Sequence, residues 1–137
     1  MILTTKARYA VMAIIDIADN HHTTESPTAL SEISKSQNIS LSYLEQIFSL
    51  LKKAEIVKSI KGPGGGYVLN KKHNEINIAQ IIKAIGEPIK MTNCSTSQKN
   101  CISVDKTAKC KTHHLWQGLE KNIFNYLNSI SLEDICR

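Results

Sequence analysis

The sequence predicts a mainly α protein with a small β-hairpin, and three observations predict it. Apolar residues recur at helical spacing in several separate stretches. A glycine-rich run, Gly62-Pro63-Gly64-Gly65-Gly66, divides two short strand-like segments. A further helical stripe lies near the C-terminus, beyond a polar stretch that carries cysteines. With 137 residues, 42% of them apolar and 21% charged, the chain has the make-up of one globular domain plus an appendage. Aromatic residues make up only 5%, so the core must rest on Ile, Leu, Val and Ala.

The elements follow in order. Residues from about Lys6 to Ala18 form a helix with Ala10, Ile14, Ile17 and Ala18 on one stripe. Asn20 to Pro27 is polar and ends in Ser-Pro, which predicts a loop. Ala29 to Ser36 predicts a short helix with Thr28 as its N-cap and Leu30 and Ile33 inward. Gln37-Asn38 is a tight turn, because asparagine tolerates the left-handed conformation. From about Ser42 to Ala54, Leu44, Ile47, Phe48 and Leu51 fall at i, i+3, i+4 and i+7. Ser42, Glu45, Gln46, Ser49 and Lys53 take the opposite face. Ile56 to Lys61 and Tyr67 to Asn70 are the strand-like segments of the hairpin. Asn77 with Gln80 makes a capping-box variant before Ile78, Ile81, Ile82 and Ile85, and Gly86 and Pro88 stop that helix. The last helix, from about His113 to Ser129, carries Trp116, Leu119, Ile123, Tyr126 and Ile130 at steps of three and four. That stripe suits either pairing with a second copy or packing on its own domain.

Two short helices joined by a turn, the second with a polar face, form a helix-turn-helix; a hairpin directly after it is a wing. The fold class is therefore a winged helix-turn-helix plus a long C-terminal dimerisation helix. A net charge of +5 suits a polyanionic partner. The bland alternatives are a solvated helix face and a flexible surface hairpin. On the DNA-binding view, Ser42, Tyr43, Glu45 and Gln46 enter the major groove of operator DNA. There Gln can read adenine and Glu can accept from cytosine. Ser40 and the wing (Lys61, Gly62, Pro63, Gly64, Gly65, Gly66 and Tyr67) hold the backbone or minor groove. Lys58 and Lys61 add charge at the wing's base.

From Met91 to Thr112 periodicity disappears, and three of the four cysteines lie there. Cys94, Cys101 and Cys110 follow a Cys-x6-Cys-x8-Cys spacing, and His113 follows closely. No apolar run approaches the ~20 residues of a membrane span, and no leader is evident. A cytoplasmic setting is expected, where thiols stay reduced. Thiolates and imidazole bind zinc or iron–sulfur clusters. The absence of a Cys-x2-Cys pair counts against an ordinary zinc ribbon. Spacing leaves zinc, a cluster and redox thiols open. Cys136 is most simply a spare thiol. No nucleophile–base pair, phosphate loop, carboxylate dyad or small-molecule substrate site is visible, so an enzyme is not expected.

Leu3-Thr4, Lys6, Arg8-Tyr9-Ala10-Val11, Ile39 to Gln46, Gly62 to Tyr67, and Cys110 to Trp116 resemble the IscR-like iron–sulfur cluster regulators, small winged-helix bacterial transcription regulators. The resemblance covers nearly the whole chain. It implies a homodimer with crossing C-terminal helices and a 2Fe-2S cluster on Cys94, Cys101, Cys110 and His113. It divides the chain into residues 1–72 (DNA binding), 73–90 (connecting helix), 91–112 (cluster loop) and 113–137 (dimerisation helix and C-terminus). Lys61 stands where an Arg is usual, which weakens a bidentate contact. The loop between the second and third cysteines is longer than in relatives, which keeps 4Fe-4S and zinc as alternatives. Arg8 stands where nitric-oxide-sensing relatives supply a carboxylate ligand, and this favours the histidine-ligated type.

Overall fold

A computed structural model of the chain describes residues 4–24, 26–87, 89 and 111–136, with the backbone alone at 21–24. Helix α1 (Thr5–Thr24) is capped by Thr4, whose Oγ1 accepts from the Ala7 N–H at 3.2 Å. It buries Ala7, Ala10, Ala13, Ile14, Ile17 and Ala18. The helix runs past Asn20, where a loop was expected, because no glycine or proline interrupts it before Ser26-Pro27.

Helix α2 (Leu30–Gln37) starts from Ala29 without a side-chain cap. Thr28, expected as that cap, is instead buried and exchanges two backbone hydrogen bonds with Tyr67, at 3.0 and 2.8 Å. The turn behaves as its sequence predicts: Asn38 sits at φ 54°, ψ 49°. Ser34 Oγ closes it by donating to the Ile39 carbonyl at 2.6 Å. Helix α3 (Leu41–Lys53) buries Leu44, Ile47, Phe48 and Leu51, the four residues its periodicity selects.

Strands β1 (Val57–Ile60) and β2 (Gly66–Leu69) pair antiparallel from Val57↔Leu69 to Ile60↔Gly66. Thr28 adds a one-residue third strand to this hairpin, bridged to Tyr67. A single 3-10 turn (His73–Glu75) leads to α4 (Ile78–Ala84). The capping box forms: Gln80 N–H donates to Asn77 Oδ1 at 2.9 Å, and Asn77 N–H to Gln80 Oε1 at 3.1 Å. Gly86, at φ 76°, ends the helix in the left-handed conformation.

Helix α5 (His113–Ser129) has no fully buried residue. Its half-buried line is His113, Trp116, Glu120, Ile123, Leu127 and Ile130. The expected stripe therefore holds at Trp116, Ile123 and Ile130, but Leu119 and Tyr126 are exposed and Leu127 packs on the core instead. A short helix the sequence did not suggest, α6 (Leu132–Ile135), returns to the domain. Ser131 and Asp134 cap it reciprocally, and Leu132 is fully buried. Ile78 N–H donates to the Ile130 carbonyl at 3.0 Å and Leu132 N–H to the Ile76 carbonyl at 2.9 Å. The end of α5 is thereby stitched to the start of α4.

Candidate nucleic-acid interface

The apolar half of α3 is spent in the core, so its other half is what the domain presents. Ser42, Glu45, Gln46, Ser49, Lys52 and Lys53 are all exposed. Ser40 caps the helix: its hydroxyl accepts from the Tyr43 N–H at 3.2 Å and lies 3.3 Å from the Ser42 hydroxyl. Ser49 turns back on its own helix, donating to the Gln46 carbonyl at 2.8 Å. Tyr43 is half-buried, with its ring edge-on to Tyr9 at 5.8 Å, so it braces α3 against α1.

The wing is held beside α3 by Tyr67. That ring lies 4.9 Å from Phe48, tilted 54°, while its backbone is paired with Thr28. Tyr67 therefore anchors the wing to its domain, whereas Lys61, Gly62, Pro63 and Gly64 form the exposed tip. The glycines serve two different needs. Gly62 and Gly64 stand at φ 97° and 75° with open space around them. At Gly66 a Cβ would fall 2.3 Å from the Thr28 carbonyl oxygen, and at Gly65 one would fall 2.2 Å from that of Ile60. Only glycine lets these backbones approach so closely. Lys58 and Lys61 on the hairpin, with Lys52 and Lys53 at the end of α3, are exposed cations on adjoining elements.

The candidate metal ligands divide. His113 opens α5, half-buried, its ring edge-on to exposed His114 at 5.7 Å. Cys94, Cys101 and Cys110 lie outside the described residues. Among the described residues, no group of three or more His, Cys, Asp or Glu could hold a metal. Cys136 is half-buried beside Asp19, and burial first, then the Asp19 carboxylate, push its thiol up to about 11. It stays protonated at neutral pH, which is inert thiol chemistry.

Sequence reasoning missed Thr28 and the Phe48–Tyr67 contact. Both pair residues far apart in the chain, and no local pattern announces them.

A polar helix face with a wing pinned alongside it sets the class: this is a winged helix-turn-helix transcription regulator. A family model, Rrf2, described as an iron-dependent transcriptional regulator, matches residues 3–137, and the chain belongs to that family. It is similar to the HTH-type transcriptional regulator IscR of Pectobacterium atrosepticum, with 45% identity over 98% of this chain and 79% of that protein. It is 49% identical to a putative HTH-type transcriptional regulator of Neisseria meningitidis, over 98% of this chain and 87% of that one. Among solved structures, CymR, the global cysteine regulator of B. subtilis, matches with TM-score 0.80 and 32% identity over 99% of this chain and 96% of that one. IscR of T. potens matches with TM-score 0.74 and 30% identity over 98% and 85%. By these names the relatives are transcriptional regulators, and the chain is a transcriptional regulator of the same family. No helix among the described residues is long and apolar enough to cross a membrane.

Proposed function

We propose that the chain acts as a homodimer on duplex operator DNA, and that its operator choice depends on whether Cys94, Cys101, Cys110 and His113 hold a 2Fe-2S cluster. One observation carries the DNA part: α3 exposes Ser42, Glu45 and Gln46 in a helix fixed on its other side by four buried apolar residues. Gln46 reads adenine, while Glu45 accepts from cytosine and is repelled wherever no donor meets it. Ser40, Lys61 and the wing tip from Gly62 to Gly64 hold the phosphate backbone or minor groove. Residues 1–72 then form the DNA-binding unit, 73–90 the connection, 91–112 the cluster loop and 113–137 the dimer-forming part.

The face of α5 supports the dimer. Leu115, Leu119 and Tyr126, exposed by 60%, 37% and 66%, share one side of the helix, next to the line that packs on the domain. A row of this kind is an interface left open in the single chain. The donor set supports the cluster: three thiolates and one imidazole complete the coordination of a two-iron centre. The description of the family as iron-dependent agrees with it. When bound, such a cluster supplies a group sensitive to iron and oxidants.

Fluorescence anisotropy across a salt series tests the interface. With Lys52, Lys53, Lys58 and Lys61 from two protomers on phosphates, affinity should fall on the order of ten-thousandfold between 50 and 200 mM salt. Lys61→Ala should flatten the slope of log affinity against log salt by about one per neutralised phosphate. Affinity indifferent to salt would contradict this interface.

A further inference from the structure

Leu41 opens α3 with 44% of its surface exposed, although the same helix buries Leu44, Ile47, Phe48 and Leu51 completely. Ile39, two residues earlier, is 3% exposed. The core beneath α3 is thus filled without all of Leu41. A lone surface leucine is ordinary, but this one stands in the first turn of the recognition helix, between the exposed Ser40 and Ser42. The N-terminal end of such a helix is the part that reaches base edges. On the major-groove edge of the four base pairs the one apolar feature is the C5-methyl of thymine. Ser40 and Ser42 on either side hold polar contacts, which leaves the leucine facing an apolar one.

We infer that Leu41 is a specificity-determining residue that reads a thymine C5-methyl group in the major groove. This rests on the DNA-binding mode proposed above. The contact buries one methyl against a branched side chain, so deleting the methyl should weaken binding about fourfold per half-site.

The test uses the full chain and the duplex that it selects from a randomised library. Each thymidine of that duplex is replaced singly by deoxyuridine, which removes only the methyl. Wild-type protein should show one position per half-site where the replacement weakens binding about fourfold. Leu41→Ala should lose affinity by a similar factor on the thymidine duplex and be indifferent to deoxyuridine at that position. Leu41→Met, which keeps an apolar tip, should retain most of the methyl sensitivity. Thermal melting of Leu41→Ala should stay near wild type, because the side chain is half in solvent. Equal deoxyuridine penalties in wild type and Leu41→Ala would overturn the inference, as would a selected site with no sensitive thymine. Failure of the wild-type chain to bind any duplex would sink the DNA-binding mode itself, a result distinct from both.

Discussion

Phe48→Ala should lower the unfolding free energy by about 3–5 kcal/mol, the cost of emptying a large aromatic site in a packed core. Phe48 is fully buried, and its ring carries Tyr67 at 4.9 Å. The loss therefore falls on both the helix-turn-helix and the wing that leans on it. Measured against a total of roughly 5–15 kcal/mol for a domain, this is a large fraction. Urea denaturation should show an earlier midpoint with little change in slope. At temperatures where the variant is still folded, DNA affinity should also fall, because the wing has lost its anchor. A change below about 1 kcal/mol would mean that the site is not packed as described.

The second large effect is expected at Gly66. The Cβ of alanine would lie 2.3 Å from the Thr28 oxygen, 2.5 Å from its carbonyl carbon and 2.8 Å from the Ala29 nitrogen, all backbone atoms. None can move without opening the paired hydrogen bonds of Thr28 and Tyr67. Gly66→Ala should cost about 1–3 kcal/mol of stability, as overpacking does. It should also weaken operator binding at least tenfold, equivalent to about 1.4 kcal/mol, by swinging the wing off α3. Gly64→Asn is the contrast, since Gly64 has open space and a φ of 75° that asparagine tolerates. It should melt close to wild type. Equal melting temperatures for the two variants would show that the wing is not seated on Thr28.

How much of this was legible depends on the range of the physics involved. The buried face of α3, the αL turn at Asn38 and the capping box at Asn77 and Gln80 are local, and each followed from residue type and spacing. The continuation of α1 past Asn20 is not legible locally, because its polar residues match a loop although no breaker stands among them. Thr28 has the chemistry of a cap, and the rung with Tyr67 outcompeted it through a long-range pairing that no local pattern announces. The α6 return is four residues long, and Leu132 becomes core because its own N–H pairs with Ile76 while Ile78 pairs with Ile130. On the candidate interface, the polar face of α3 and the glycine tip were readable. The anchoring roles of Tyr43 and Tyr67 were not, since aromatic rings look alike in sequence whether they read DNA or brace a helix.

Operator choice tests the central proposal most directly. The full chain, purified without oxygen, is divided into an iron-loaded and a chelator-stripped pool, and each selects duplexes from one randomised library. The iron-loaded pool should carry iron and sulfide in equal amounts, and the two pools should enrich different operators. Cys101→Ala should carry no cluster and select the stripped pool's operator under all conditions. Identical operators from both pools, or zinc in place of iron after purification without oxygen, would contradict the account.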